Sequence, residues 1–118
     1  MAKHLDLGSR GEQFAVDYLL RQGFEVLAKN WRFGHKEVDI IAKEGAFLVI
    51  IEVKTRSSAV HGFPDEAVND AKMELLAEAG AAFLEQNELD LEMRFDILSI
   101  ILKEDTPSIY HIRDAFHP

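Results

Sequence analysis

The feature that most constrains the fold is an apolar run in the middle of the chain, Phe47–Val53, which is interrupted only by Glu52. Short runs rich in Val and Ile and bounded by turn residues are typical of interior β-strands. A similar segment precedes the run, and Glu44-Gly45 between them has the composition of a two-residue hairpin connection. The sequence therefore predicts two adjacent antiparallel strands, over residues 37–43 and 46–56.

Helical patterns flank this predicted hairpin on both sides. Residues 9–22 are amphipathic, with Ser9 as a good N-cap, Glu12 completing a capping box and Gly23 as a stop signal. A second helix is predicted from Pro64, which suits a first helical turn, to about Asn87. The hairpin is therefore expected to lie between two helices in sequence.

Shorter strands complete the pattern. The long helix between the third and fourth strands permits a crossover connection, so the sheet is expected to be mixed. With 118 residues, the whole chain, 1–118, is expected to form one α/β domain. The remaining predicted elements are a strand from Phe24 towards Trp31, a turn at Gly34-His35, a strand over 93–102, a turn at Asp105–Pro107 and a final strand over 108–114.

The charge distribution limits where a nucleic acid could bind. The net charge is −8, but residues 1–61 hold 9 Lys and Arg against 8 Asp and Glu, whereas residues 62–118 hold 4 against 13. Nucleic-acid binders usually have a basic surface, so a phosphate-facing surface is expected in the first half. The chain has no cysteine and no apolar stretch near the ~20 residues of a membrane span, which predicts a soluble cytoplasmic protein without membrane contact.

The predicted hairpin brings two acidic residues together. With Glu44-Gly45 as the turn, Asp39 lies opposite Ile50. Strand side chains alternate between faces, so Asp39, Glu52 and Lys54 are expected on one face. Asp39 and Glu52 become diagonal neighbours with Cβ atoms roughly 6–8 Å apart, a separation at which both carboxylates can hold one cation.

Electrostatics favours a cation between these acids. Two carboxylates ~6 Å apart in an effective dielectric of ~20 repel by roughly 3 kcal/mol, and desolvation adds to that cost. One lysine does not neutralise the group, so a divalent ion is expected, and oxygen ligands favour Mg²⁺ or Mn²⁺. The alternative is a solvated strand face on which Lys54 only pairs with Glu52 or Glu37.

The motifs as a set resemble a known family. Asp39, a hairpin and Glu52-x-Lys54 are similar to the PD-(D/E)XK motif of restriction-endonuclease-like nucleases and Holliday-junction resolvases. The resemblance implies a restriction-endonuclease-like αβββαβ core with a central mixed sheet flanked by helices. A longer set of motifs is similar to the YraN-like family of predicted bacterial endonucleases, namely Gly11-Glu12-x-x-Ala15, Trp31-Arg32, Glu37-Val-Asp39-Ile-Ile-Ala42, Ile51–Arg56, Lys72 and Arg94-Phe-Asp96.

This resemblance implies a role for each site residue. Asp39, Glu52, the main-chain carbonyl of Val53 and Glu12 are expected to hold the Mg²⁺ or Mn²⁺. Lys54 is expected to orient the attacking water and to offset charge at the phosphate. The reaction implied is hydrolysis of phosphodiester bonds in DNA, including branched DNA, and resolvase-like nucleases suggest a homodimer.

Three basic residues, Arg56, Lys72 and Arg32, are candidates for binding phosphate. Each has a structural alternative, namely a surface arginine, a lysine that snorkels from an apolar helix face, and an exposed neighbour of a core tryptophan. Likewise, Glu12 could serve only as a capping residue, and Arg94 could simply pair with Asp96. The five histidines are dispersed without the spacing of a zinc site and are interpreted as incidental.

The second predicted helix leaves a further alternative open. Residues 65–92 carry nine acidic residues against the single Lys72. Such a surface disfavours broad contact with duplex DNA and could instead dock a protein partner. The competing hypothesis is therefore a non-catalytic nucleic-acid-binding or adaptor domain that retains a nuclease-like fold.

Overall fold

The computed structural model describes residues 7–57, 68–103 and 106–118. Neither described helix is long and apolar enough to cross a membrane. The order of elements confirms the αβββαβ pattern with one additional strand. The elements are α1 (Leu7–Arg21), β1 (Glu25–Phe33), β2 (Lys36–Glu44), β3 (Phe47–Arg56), α2 (Asp70–Gln86), β4 (Glu92–Lys103) and β5 (Thr106–Ile112).

The five strands form one mixed sheet in the order β1-β2-β3-β4-β5. All neighbouring strands are antiparallel except β3 and β4, which run parallel and are joined in sequence through α2. The two helices cover opposite faces. Ala15 and Leu19 of α1 pack in one buried cluster with Ile40 and Ile51, whereas Leu76 of α2 packs in the other cluster with residues such as Ile41 and Ile50.

Helix α1 ends as predicted but begins earlier. Gly23 has a φ of +93°, and its N–H donates to Leu20 while the Phe24 N–H donates to Leu19, the two bonds of a Schellman cap. Ser9 lies inside the helix, which begins at Leu7, so the predicted N-cap at Ser9 was wrong. The capping-box explanation of Glu12 fails with it, since that explanation needs Ser9 at the cap.

The hairpin register differs from the prediction by two residues. Gly45, with a φ of +59°, and Ala46 form the turn, whereas Glu44 stays in β2 opposite Phe47. Ile40 therefore pairs with Ile51, and continuing this register places Asp39 level with Glu52 rather than with Ile50. A shift of two residues preserves the facing of every side chain, because the strand period is two.

The boundaries of α2 and β5 also differ from those predicted. Helix α2 begins at Asp70 after the N-cap Asn69, so Val68 precedes the helix instead of lying within it. The predicted helix start at Pro64 falls outside the described residues. Strand β5 covers 106–112, so Thr106 and Pro107 belong to the strand and not to the turn, and residues 113–114 follow its end.

Candidate functional site

Asp39 lies where the sheet is irregular on both sides of β2. On one side, the paired region of β2 and β3 ends at Ile40 and Ile51. On the other side, Asn30 of β1, which is level with Asp39, has a φ of +49°. Val38 packs in the α2-side cluster although Ile40 packs in the α1-side cluster, so face alternation breaks at Asp39. Such irregularities re-aim side chains, and they are common next to active sites.

The Asp39 side chain points towards β3, where its carboxylate accepts a hydrogen bond from a main-chain N–H in place of a carbonyl of β2. Its Oδ2 accepts a hydrogen bond of 2.8 Å from the N–H of Val53. The N–H and C=O of one strand residue point towards the same neighbour, so the Val53 carbonyl faces this side as well. The Asp39 carboxylate and the Val53 carbonyl, two of the metal ligands that the family resemblance implies, therefore both lie at the β2–β3 junction.

Glu52 is buried, at 7% exposure, and lies between two lysines. The Lys54 Nζ is 3.6 Å from Oε1, and the Lys72 Nζ is 3.6 Å from Oε2. Lys72 belongs to the stripe of α2 that faces the sheet, two turns or less from the buried Leu76 and Ala79. This position explains a lysine among apolar neighbours, because its stem covers the sheet while its ammonium reaches the Glu52 carboxylate.

Asp39 ionises less readily than an ordinary aspartate. Burial raises the pKa of Asp39, and the negative charges of Glu52 and Glu12 raise it further. The Val53 N–H and the Lys72 ammonium act in the opposite direction, and the resulting pKa is about 6 instead of the ordinary 3.8. A carboxylate in this environment gains from a bound cation, which is the behaviour expected of a metal ligand.

The charges around the site bear directly on whether a divalent ion fits. The sequence predicted one lysine beside these acids, but Lys72 adds a second, so Asp39, Glu52 and Glu12 face two ammonium groups. One negative charge remains uncompensated, and the charges of Glu52 and Glu12 add to burial, which is the main cause, in raising the pKa of Asp39. The donor set is made only of oxygens and fits Mg²⁺ or Mn²⁺. Among the residues that the structure describes, no three acidic or His side chains converge closely enough to form a complete metal site.

Glu12 approaches the site from the α1 side. It influences Asp39 electrostatically and lines a small cavity of about 160 Å³ together with Lys29 and Asn30. Helix α1 packs very closely against β3 next to Glu12. The closeness is such that a Cβ added at Gly11 would clash with the Thr55 side chain. Gly11 therefore lets the helix come close enough to bring Glu12 towards Asp39.

The site opens on the α2 side into a second small cavity. It has a volume of about 180 Å³ and is lined by Glu52, Lys54, Val68, Asn69 and Lys72. Asn69, which the sequence reasoning missed, caps α2 by accepting a bond of 2.8 Å from the Lys72 N–H. The sequence signal for this cap was an asparagine followed directly by an acidic residue and a helical pattern.

The other predicted phosphate contacts lie further out. Arg56 follows Lys54 by two residues on β3, on the same face, and is half-buried. Arg32 lies on β1 and forms an exposed ion pair of 3.2 Å with Glu37. The adjacent Trp31 packs edge-on against Phe83 in the α2-side core, which confirms its structural role.

A second polar network lies on the α1 side, away from these acids. Arg94 donates two bonds of 2.9 Å to the fully buried Asp96, so the predicted Arg94–Asp96 pair is confirmed. His111 bonds to Asp96 at 2.8 Å and to the Tyr18 hydroxyl at 2.9 Å. The interpretation of the histidines as incidental is therefore wrong for His111, which joins β5 to β4 and α1.

The pKa of Asp96 reflects this network. Burial opposes its ionisation, but hydrogen bonds from His111, Arg94 and the Asp114 N–H outweigh burial and hold the pKa at about 2. An ionised carboxylate only accepts hydrogen bonds, so His111 donates from Nε2. The network is internally satisfied, which makes it a structural anchor and not a second reactive site.

Comparison with known proteins identifies a family for this chain. The sequence profile described as "Uncharacterised protein family UPF0102" matches residues 11–100, which include Glu12, Asp39, Glu52 and Lys54. The chain belongs to this family. The match also covers α2 and the part of α1 that carries Glu12, and it confirms the resemblance to the YraN-like family inferred from the sequence motifs.

Relatives within UPF0102 match over nearly their whole length. A UPF0102 protein of Flavobacterium psychrophilum is 44% identical over 117 residues, covering 99% of this chain and 98% of the relative. One from Christiangramia forsetii is 45% identical over 116 residues, covering 98% of each chain. One from Bacteroides thetaiotaomicron is 42% identical over 118 residues, covering 100% of this chain and 98% of the relative.

Proposed function

We propose that this chain is a metal-dependent nuclease that hydrolyses phosphodiester bonds in DNA. The observation that carries the proposal is the convergence of Asp39 and Glu52 with two lysines at the junction of β2 and β3. The αβββαβ order and the Asp39, Glu52-x-Lys54 spacing are similar to those of restriction-endonuclease-like and resolvase-like nucleases. This similarity supports membership of that superfamily and a homodimer as the working unit, and the absence of cysteine supports action in the cytoplasm.

The residues that would hold Mg²⁺ or Mn²⁺ are Asp39, Glu52 and the carbonyl of Val53, with Glu12 as an additional acid from α1. When bound, the ion supplies positive charge to a phosphate oxygen and lowers the pKa of a coordinated water. Asp39 is oriented for this role by the Val53 N–H, which holds its Oδ2. Glu52 is oriented by the two lysines, each of which faces one of its oxygens.

The basic residues would act on the phosphate. Lys54 is 41% exposed, so its ammonium can orient water and offset the negative charge that develops during attack. Lys72 borders the same cavity and is 35% exposed, which makes it a second cation for the substrate as well as a partner of Glu52. Arg56 lies two residues after Lys54 on the same face of β3 and could bind a neighbouring phosphate. The exposed Arg32 at the periphery could release Glu37 and bind a phosphate instead.

The substrate class follows from the surroundings of the site. The exposed side of α2 carries Asp70, Glu74, Glu78 and Glu85, which would repel a long duplex lying across it. Branched or otherwise unusual DNA can present a phosphate to the site without that contact. Branched substrates are also those of the resolvases that the motif resembles.

Nuclease assays with matched variants test the proposal. Purified protein is incubated with junction, flap, single-stranded and duplex DNA in Mg²⁺, in Mn²⁺ and in EDTA. Cleavage is expected only with metal and is expected to fall at least ~100-fold in Asp39→Ala and Lys54→Ala. Lys43→Ala, a lysine change near the hairpin turn of β2 and away from Asp39, is the control and should retain activity.

One observation favours the second candidate, a non-catalytic nucleic-acid-binding or adaptor domain. Within the described part of the chain, no three potential ligands form a complete metal site. Binding of junction DNA without cleavage in either metal, together with unchanged thermal stability on adding Mn²⁺, would establish this candidate and refute the nuclease. Metal-dependent stabilisation that is lost in Asp39→Ala would support the nuclease independently of the choice of substrate.

A further inference from the structure

An open groove runs between α2 and the C-terminal segment, on the side of α2 that faces away from Lys72. Two adjoining cavities form it, with volumes of about 450 Å³ and about 470 Å³, and they share Ala77, His117 and Pro118 as lining residues. Lys72 lies on the opposite side of α2, at the candidate site, so the groove and the site are separate surfaces.

The floor of the groove is apolar and firmly built. Phe116 stacks on the buried Phe95 with ring centroids 5.0 Å apart, and the Ala115 N–H donates a bond of 2.6 Å to the Phe95 carbonyl. Ala77 of α2 and Met93 of β4 complete the floor. Met93 is 36% exposed and is one of three large apolar side chains exposed among the described residues. A fixed floor with accessible apolar atoms can bury a partner's side chains without prior rearrangement.

The rim of the groove is acidic. Asp70 and Glu74 lie one turn apart on α2, and Glu92 and Asp114 line the β4 side. Among the residues that line the two cavities, His117 is the one with a basic side chain, and its imidazole is 3.6 Å from the Asp114 carboxylate and is therefore engaged. The four carboxylates surround an apolar strip, and this arrangement complements a segment that is apolar in the centre and positively charged at its edges.

We propose that this groove docks a basic, amphipathic segment of a partner protein. The acidic rim repels DNA, so nucleic acid is not the expected occupant. The sequence left open that the acidic second helix docks a protein partner. The groove assigns this docking to the side of α2 that carries Asp70, Glu74 and Ala77. The proposal stands independently of the nuclease activity, because no residue of the candidate site lines the groove.

Binding of a designed probe tests the proposal with the full chain. The probe is a synthetic peptide of ~14 residues, about four helical turns, with leucines on one stripe and lysines on both flanks. The control peptide has glutamate at every lysine position. We expect saturable binding of the basic peptide in fluorescence anisotropy, and chemical-shift changes confined to α2, the start of β4 and residues 114–118.

Charge-reversal variants locate the contact. The double variant Glu74→Lys, Glu92→Lys changes two exposed rim residues and is expected to weaken binding roughly tenfold, from two lost ion pairs. Glu85→Lys changes an exposed residue of α2 outside the groove and is the matched control, expected to leave affinity unchanged. Circular dichroism of each variant verifies that the fold is retained.

Several outcomes would overturn the proposal. These are no binding of the basic peptide, equal binding of the acidic peptide, or equal affinity in the double and control variants. Self-association through the groove, detected by sedimentation and abolished in the double variant, would assign the surface to a second copy of the chain. Shift changes in the groove on adding single-stranded DNA would assign it to nucleic acid.

Discussion

Replacing Asp39 by asparagine should stabilise the metal-free protein at neutral and alkaline pH. The folded state holds the pKa of Asp39 at about 6, whereas its ordinary value is 3.8. Because the folded pKa is the higher one, stability is lost as the pH rises from about 4 to about 6. The difference corresponds to roughly 3 kcal/mol above pH 6. The asparagine side chain would carry no charge and could still accept the Val53 N–H, although more weakly, so we expect a net gain of about 2 kcal/mol.

Urea denaturation in EDTA measures this gain. Trp31, the single tryptophan, packs in the α2-side core and reports unfolding by fluorescence. At pH 8 the midpoint of Asp39→Asn should exceed that of the wild type by roughly 1 M, and the difference should vanish near pH 4. Mn²⁺ should stabilise only the wild type. A variant less stable than the wild type at pH 8, or a difference independent of pH, would refute the reasoning. Glu85→Gln, an exposed acid on α2, serves as the control.

Three further predictions concern how the site is supported. Asp96→Ala should destabilise the fold by about 3–5 kcal/mol in urea denaturation, because it removes the buried carboxylate that accepts from Arg94 and His111 and leaves each with one remaining bond, to Glu44 and to Tyr18 respectively. Since folding lowers the pKa of Asp96 from 3.8 to about 2, the wild type should lose about 2 kcal/mol of stability as the pH falls from about 4 to about 2. The Asp96→Ala variant should not show this loss, and an equal loss in the variant would contradict the cause. Gly11→Ala should cost about 1–3 kcal/mol by overpacking, with partial rescue by Thr55→Ala; an unaffected midpoint contradicts the close approach of α1 to β3. Tyr18→Phe should cost about 1 kcal/mol in the same denaturation assay, through the lost bond to His111.

Much of the fold could be predicted because its signals are local. The runs rich in Val and Ile that form β2 and β3, the glycine that ends α1 and the long helix before β4 each depend on residues close in sequence. The register of the hairpin could not be predicted in the same way. Moving the turn by one residue changes each pairing by two positions but preserves the faces, so the apolar pattern allows both registers. Glu44 stays in β2, where it bonds to Arg94 and Arg113, residues far away in sequence.

The candidate site also depends partly on local sequence and partly on tertiary contacts. The sequence by itself determined that Asp39, Glu52 and Lys54 lie on adjacent strands close enough to interact, because spacing and the strand period decide this. Only the tertiary structure brought Lys72 onto Glu52 and Glu12 towards Asp39, since both arrive on helices packed against opposite faces of the sheet. The acidic groove beside α2 likewise depends on where the C-terminal segment returns. Local periodicity assigns a residue to a face, but the packing of distant elements decides which residues meet there.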